Sequence, residues 1–489
     1  MEKLNARMAP APVRPVKVLQ FGEGNFLRAF VDYFIDIANE KGVFDGSVAL
    51  VKPIEMGKLF PAFKEQDYRY TVLLRGIVDG QAVEQSRVIT SVSDAVDAYA
   101  DYEAYAAYAK CDTLRFIVSN PTEAGIVLDE SDELALCPPK TYPGKLTKLL
   151  YERAEHFNYA ADKGLVILPV ELIDDNGIKL HECVKALAKI WKLGERFEQW
   201  LEEACVFTST LVDRIVTGYP RGEAAAICEK LGYEDNIIVT AEPFGLWVIE
   251  SAKDISTELP LPSIGLPVIF TDNQKPYKQR KVRILNGAHT SFVPAAFQCG
   301  HDIVLQAMDD PMILNFMQKT LYDEVIPTLT LDKNDLMSFA EAVTSRFKNP
   351  FIKHALLAIC LNSVSKWRAR CMPSLLIYAE KTGKLPEHLT FSLASLMSLY
   401  HGGKLVDGKL ECLRDGQPYQ LQDDAPVLEF FATSADLPVA EQVEKFIGNE
   451  SFFGPDLIKV PGLKEAVTEA YADILARGMK TVMAERFPC

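Results

Sequence analysis

A short apolar strand, Val16-Lys-Val-Leu-Gln-Phe21, runs directly into Gly22-Glu-Gly24 and then into the amphipathic stretch Val31–Glu40. Strand, glycine turn and helix in that order leave few choices of fold. Glycines let backbone N–H groups approach a pyrophosphate, and the helix start supplies partial positive charge. Phe21, Gly22, Glu23, Gly24, Asn25, Phe26, Leu27 and Arg28 are therefore candidate dinucleotide contacts. The fingerprint is incomplete, because Leu27 stands where a third glycine is usual and the next strand, Ser47–Val51, ends in Lys52-Pro53 instead of an acid. Lys52 joins the candidates and leaves NAD and NADP both open, since an acid favours a free ribose and a cation tolerates a 2′-phosphate. A tight turn without a ligand is the competing reading.

The alternation continues downstream. Tyr68–Gly76 and Ala82–Val92, joined across Asp79-Gly80, read as a hairpin inserted into the sheet. A helix over Ala95–Lys110 leads to the strand Leu114–Val118 and the polar loop Ser119–Gly125, in which Ser119, Thr122 and Glu123 are further cofactor candidates. Helix Gly144–Asn158, strand Leu165–Val170, a turn ending in Asn176-Gly177, and a long helix to Glu203 follow. Short strands at Phe207–Thr210, Ile237–Thr240 and Leu266–Phe270 close the series, with Asp213 beside Arg214 able either to align a substrate hydroxyl or to pair at a sheet edge. Such an order predicts a Rossmann-like, doubly wound α/β domain over residues 1–276.

From residue 277 to 489 the pattern is mostly helical, with one small hairpin turning at Asp407-Gly408. At its opening stands Lys281-Val-Arg-Ile-Leu-Asn286-Gly-Ala-His289. At roughly 100° per residue, Lys281, Asn286 and His289 fall within about 140° of arc, so three polar side chains share one helix face. A lysine drawn out of water can act as acid or base, while an amide and an imidazole can donate to a developing alkoxide. This is equipment for alcohol/ketone redox chemistry without a metal. The competing reading is a solvated basic helix start, because Lys278, Arg280 and Arg283 crowd the same stretch. The expected place of such a helix is a cleft against the nucleotide domain. Farther on, Arg346 with His354, and Lys366 with Arg370, could clamp a carboxylate; a solvated helix face competes at both places.

The net charge of −15 argues against nucleic-acid and anionic-membrane partners and requires a local basic pocket for any anionic metabolite. No run of about 18 apolar residues appears, and the first 14 residues resemble neither a signal nor a transit peptide. Ten scattered cysteines without a C-x-x-C pair fit reduced thiols in the cytoplasm, and seven dispersed histidines argue against a zinc site.

Taken together, Gly22-x-Gly24-x-Phe26-x-Arg28-Ala29, Thr122-Glu123-x-Gly125, Val212-Asp213-Arg214, Glu242-Pro-Phe-x-x-Trp247 and Lys281-x4-Asn286-x2-His289 resemble, in this order, the long-chain polyol dehydrogenases of the mannitol dehydrogenase family. The resemblance implies a zinc-independent, NAD-dependent oxidoreductase, monomeric or a small homo-oligomer, with Lys281 as general acid/base and Asn286 and His289 holding the reacting oxygen. The wording of Phe21–Phe30 and Leu168–Gly177 implies a small anionic sugar acid as substrate, with Asn176, Asp213, Arg346, His354 and Arg370 as its candidate contacts. A stereoisomeric sugar acid or an uncharged polyol as substrate is the alternative, and NAD binding without turnover a more distant one. Mannitol dehydrogenases carry Asp-Asn where this chain has Glu171-Leu172, so one oxyanion donor is missing: either Asn176 or a main-chain donor takes over, or the pocket relies on Asn286 alone.

Overall fold

The computed structural model describes residues 1–52, 54–55, 59–121 and 125–488. The chain divides into two compact units, one of residues 1–76 and 83–274 and the other of residues 77–82 and 275–489.

In the first unit, six parallel strands form the central sheet: β1 (Val16–Phe21), β2 (Ser47–Val51), β3 (Val92–Val96), β4 (Phe116–Ser119), β5 (Val166–Pro169) and β6 (Val206–Phe207). Their spatial order is β3-β2-β1-β4-β5-β6. The direction of winding reverses between β1 and β4, and doubly wound sheets bind ligands outside the carboxyl ends of the strands at such a point. Strands covered on both faces need apolar residues at every position. Successive residues accordingly feed opposite cores: Val18, Val48, Leu50, Val118 and Leu168 pack on one face, and Leu19, Ala49, Val51, Ile117 and Ile167 on the other.

The hairpin forms as expected, with Asp79 and Gly80 both at positive φ (51° and 75°), as a two-residue type I′ turn demands. It is not inserted into the main sheet, however. Its strands join Val216–Gly218 and Val239–Ala241 in a separate four-stranded sheet. The strands Ser209–Asp213, Leu246–Glu250 and Val268–Thr271 likewise form a small mixed sheet of their own. The helix expected over Ala95–Lys110 begins only at Tyr102, because Ala95 and Val96 belong to β3. The long helix after Gly177 is two, Asn176–Ile190 and Glu195–Ala204, separated by Lys192 and Gly194 at positive φ.

The second unit is helical apart from a three-stranded sheet, Lys404–Val406, Lys409–Arg414 and Gln417–Leu421. Its helix Glu387–Tyr400 is buried all round from Leu389 onward and forms the core of the unit. The patterns over Ile303–Leu321 and Leu463–Arg486 are each interrupted, at Asp310-Pro311 and at Gly478. Among the described residues, no helix is long and apolar enough to cross a membrane.

Candidate active site

The Lys281 segment is not a helix start. Helix begins at Lys275 and continues to Gln298, and its middle turn, Lys281–Asn286, is wound as π-helix. This changes the arc assumed from α geometry. In an α-helix residues five apart diverge by about 140°, whereas a π turn hydrogen-bonds residue i to i+5 and narrows that angle. Lys281 and Asn286 bound that turn, and His289 follows one α turn later. The basic neighbours are accounted for separately: the Arg280 guanidinium meets both oxygens of Asp335 at 2.6 and 2.7 Å and lies over Phe339, which removes it from the solvated cluster the sequence suggests.

His289 sits among groups from several helices. Its ring stacks on Phe347 with centroids 4.0 Å apart and meets His354 edge-on at 5.2 Å. Its Nε2 atom is buried with no hydrogen-bond partner. Burial, then the positive charge of His354, Arg370, Arg346 and Lys366, holds the imidazole well below its ordinary pKa, so it is neutral at pH 7. The Arg370 guanidinium donates to Thr290 Oγ1 (3.2 Å), one residue beyond His289. Burial lowers Arg370 and His354 too, and Lys366 through burial and the nearby Arg370 charge. The four groups that Arg346-to-Arg370 spacing suggested thus surround one imidazole, and the groups acting on that imidazole are all cationic or neutral bases. A partly buried basic cluster of this kind favours an anionic ligand.

In the first unit, Gly22 has φ 126°, a conformation that side chains rarely adopt, and a Cβ there would lie 3.2 Å from Leu27 Cδ1. At Gly24 an added Cβ would meet open space, so the backbone is approachable. The other turn residues are used differently. Phe21 and Leu27 are core, Phe26 stacks on Phe30, and Glu23 is nearly buried with its carboxyl raised by burial. Arg28 is fully buried and donates to Ile237 O and to Asn25 Oδ1, so its guanidinium serves the protein interior and not a phosphate, contrary to the sequence expectation. Thr122 and Glu123 lie outside the described residues.

Lys52 Nζ donates to Asp97 Oδ2 at 2.7 Å. Asp97 follows β3, the strand beside β2, and also accepts from the amides of Tyr99 and Ala100. The lysine that follows β2 is thus paired with an acid that follows the neighbouring strand, a pairing no local motif could reveal.

Asn176 is corrected. It is 0 % exposed, its amide nitrogen donates to the carbonyls of Pro169, Glu171 and Thr210, and its oxygen accepts from Gly177 and Thr210 N. It holds the turn together and has nothing left for a substrate. Asp213 ends its strand, nearly buried. Beside it, Arg214 spends its donors on the carbonyls of Phe244, Ala29 and Pro243.

The doubly wound sheet, together with the family and relatives that the chain matches, defines the class as a Rossmann-type dehydrogenase or reductase acting on a secondary alcohol. More narrowly, residues 16–263 match the mannitol dehydrogenase Rossmann domain and residues 273–475 the mannitol dehydrogenase C-terminal domain, and the chain belongs to this family. It is 46% identical to an altronate oxidoreductase of Yersinia enterocolitica over 491 residues, covering 99% of each chain. It is 45% identical to that of Escherichia coli, covering 98% of this chain and 99% of the relative. Two solved structures share the fold: mannitol 2-dehydrogenase of Pseudomonas fluorescens with NAD and D-mannitol (TM-score 0.67, 23% identity, 99% of each chain) and a substrate-free D-sorbitol dehydrogenase (TM-score 0.80, 21% identity, 99% of this chain and 100% of the other).

Proposed function

We propose that the protein is an NAD-dependent oxidoreductase that interconverts D-altronate and D-tagaturonate in hexuronate breakdown in the cytoplasm. The likeness to altronate oxidoreductases over the whole of both chains carries the reading. The basic groups about His289 support it, since a sugar acid needs a cationic grip and mannitol does not. Arg346, His354, Lys366 and Arg370 take the carboxylate. The Lys52–Asp97 pair supports NAD over NADP, because the cation that could hold a 2′-phosphate is already neutralised. The open backbone at Gly24 and the positive-φ turn at Gly22 suit a pyrophosphate.

Reduced nicotinamide, when bound, supplies a hydride to the keto carbon. Asn286 and the neutral His289 imidazole hold the oxygen as charge develops, and the Lys281 ammonium gives it the proton that completes the alcohol. In oxidation Lys281 takes that proton back. Altronate, mannonate and mannitol tested side by side with NAD and NADP, following the NADH absorption band, decide the matter. The expected result is turnover of altronate with NAD. Preference for mannonate or mannitol would replace the assignment with a sister activity, and cofactor binding without turnover on any of them would make the chain a nucleotide-binding protein only.

A further inference from the structure

At the carboxyl end of β4 and β5, three residues from different elements leave four polar atoms without partners. Ser119 is the last residue of β4 and pairs in register with Phe21 of β1 on one side and Pro169 of β5 on the other. Glu171 follows β5 by two residues and is 2 % exposed. Tyr142 opens the helix Tyr142–His156, its ring 5.0 Å from that of Phe21. Ser119 Oγ, the Tyr142 hydroxyl and both Glu171 carboxyl oxygens are buried with no hydrogen-bond partner. The Ser119 hydroxyl lies close enough to favour the ionised form of both neighbours, yet makes no well-formed bond to either. Buried orphan atoms are costly and few in folded proteins, and four together mark a place that a ligand completes.

The topology says which ligand. In a sheet of this order the glycine turn after β1 and the ribose-reading position after β2 take the adenosine half of a dinucleotide, so the other half lies over β4 to β6. We propose that Ser119, Tyr142 and Glu171 form the subsite for the carboxamide of the nicotinamide ring. The inference rests on the NAD reading above. A primary amide offers one acceptor and two donors; two hydroxyls and a carboxyl answer it in full.

Burial pushes the Glu171 carboxyl up to about 8, which leaves it neutral at pH 7. A neutral carboxyl can donate as well as accept, and it does not discriminate between the cationic oxidised ring and the neutral reduced one. Above pH 8 an ionised Glu171 favours the oxidised cofactor. The titratable group facing it is Tyr142, raised well above its ordinary value by burial and then by Glu171 itself, and Ser119 does not titrate.

Calorimetric titration of the full chain with NAD, its acetylpyridine analogue (methyl in place of the amide nitrogen) and ADP-ribose tests the assignment. Wild type binds NAD more tightly than the analogue. Ser119→Ala, Tyr142→Phe and Glu171→Leu each narrow that ratio by about three- to tenfold, one hydrogen bond's worth, and leave ADP-ribose binding unchanged. Glu171→Gln, which keeps a donor and an acceptor, keeps the ratio but loses the rise in preference for NAD over NADH above pH 8. An unchanged ratio in the first three variants, with ADP-ribose still bound, overturns the carboxamide subsite. Loss of ADP-ribose binding in all three also overturns it, because the residues then hold the fold and not the amide. Wild type that binds neither NAD nor ADP-ribose defeats the cofactor reading itself.

Discussion

Glu171→Gln should change how stability depends on pH, quite apart from any ligand. In the unfolded chain this carboxyl titrates near 4.5, and in the folded protein it keeps its proton up to about 8. Its contribution to stability is fully present below 4.5 and is lost as pH rises toward 8, because over that window the folded state binds a proton that the unfolded state has released. Between pH 5 and pH 8 the loss is roughly 3 to 4 kcal/mol, taking 1.36 kcal/mol per pKa unit and allowing for partial ionisation at the lower end. A glutamine has no such slope. Scanning calorimetry of wild type and variant without cofactor, at pH 5 and pH 8, reads the difference for the transition of the first unit. The gap in Tm should widen in the variant's favour by roughly 10 °C, at about 2 to 4 °C per kcal/mol for a domain of this size. Other titrating groups, such as Asp32, whose carboxyl burial raises to about 7, are common to both proteins and cancel. Equal gaps at the two pH values would show that Glu171 is ionised in the folded protein, and the reasoning about its neutral state would fail.

Removing one donor to the oxyanion in Asn286→Ala should lower kcat by about two to three powers of ten, and Lys281→Ala by at least as much with NADH affinity nearly intact; a lysine variant with near-normal turnover would refute the proton-transfer role. Arg370→Ala should raise KM for altronate about ten- to a hundredfold, the value of one charge-assisted hydrogen bond, with a smaller effect on kcat. A proportional fall in kcat instead would assign Arg370 to the reacting oxygen. Asp97→Asn leaves the Lys52 charge uncompensated, so NADPH affinity should rise about tenfold relative to NADH in a fluorescence titration; an unchanged ratio would remove the ion pair from cofactor choice.

Much of this was open to reading from the chain because the signals are local. β1, β2 and the helix Val31–Glu40 occur at the residues where apolar runs and amphipathic spacing place them. Which sheet a strand joins is a different matter. Val239–Ala241 pairs with a hairpin more than a hundred residues away and carries Val216–Gly218 on its other side, and nothing in their own sequence distinguishes them from strands of the main sheet. The same limit hid Asp97, whose role depends on β3 lying beside β2, and it misled about Asn176 and Arg28. Both are polar residues next to glycine turns, which is where ligand contacts occur, but also where backbone groups need side chains to satisfy them.

The π turn at Lys281–Asn286 is the point at which sequence and structure inform each other most. An α-helix through these residues would leave the lysine and the asparagine about 140° apart, at opposite edges of the face they share. One extra residue in the turn corrects this, at the expense of weaker hydrogen-bond geometry that a helix without a task would relax. The neighbouring packing supports the turn: Gly287 follows it directly, and a Cβ there would come within 3.3 Å of the Arg370 carbonyl. Close approach at Gly287 is what lets the Ser363–Arg370 helix bring its guanidinium to Thr290, beside His289. The glycine between the motif asparagine and the motif histidine therefore has a physical reason of its own. It joins the π turn that carries Lys281 and Asn286 to the helix that carries Arg370.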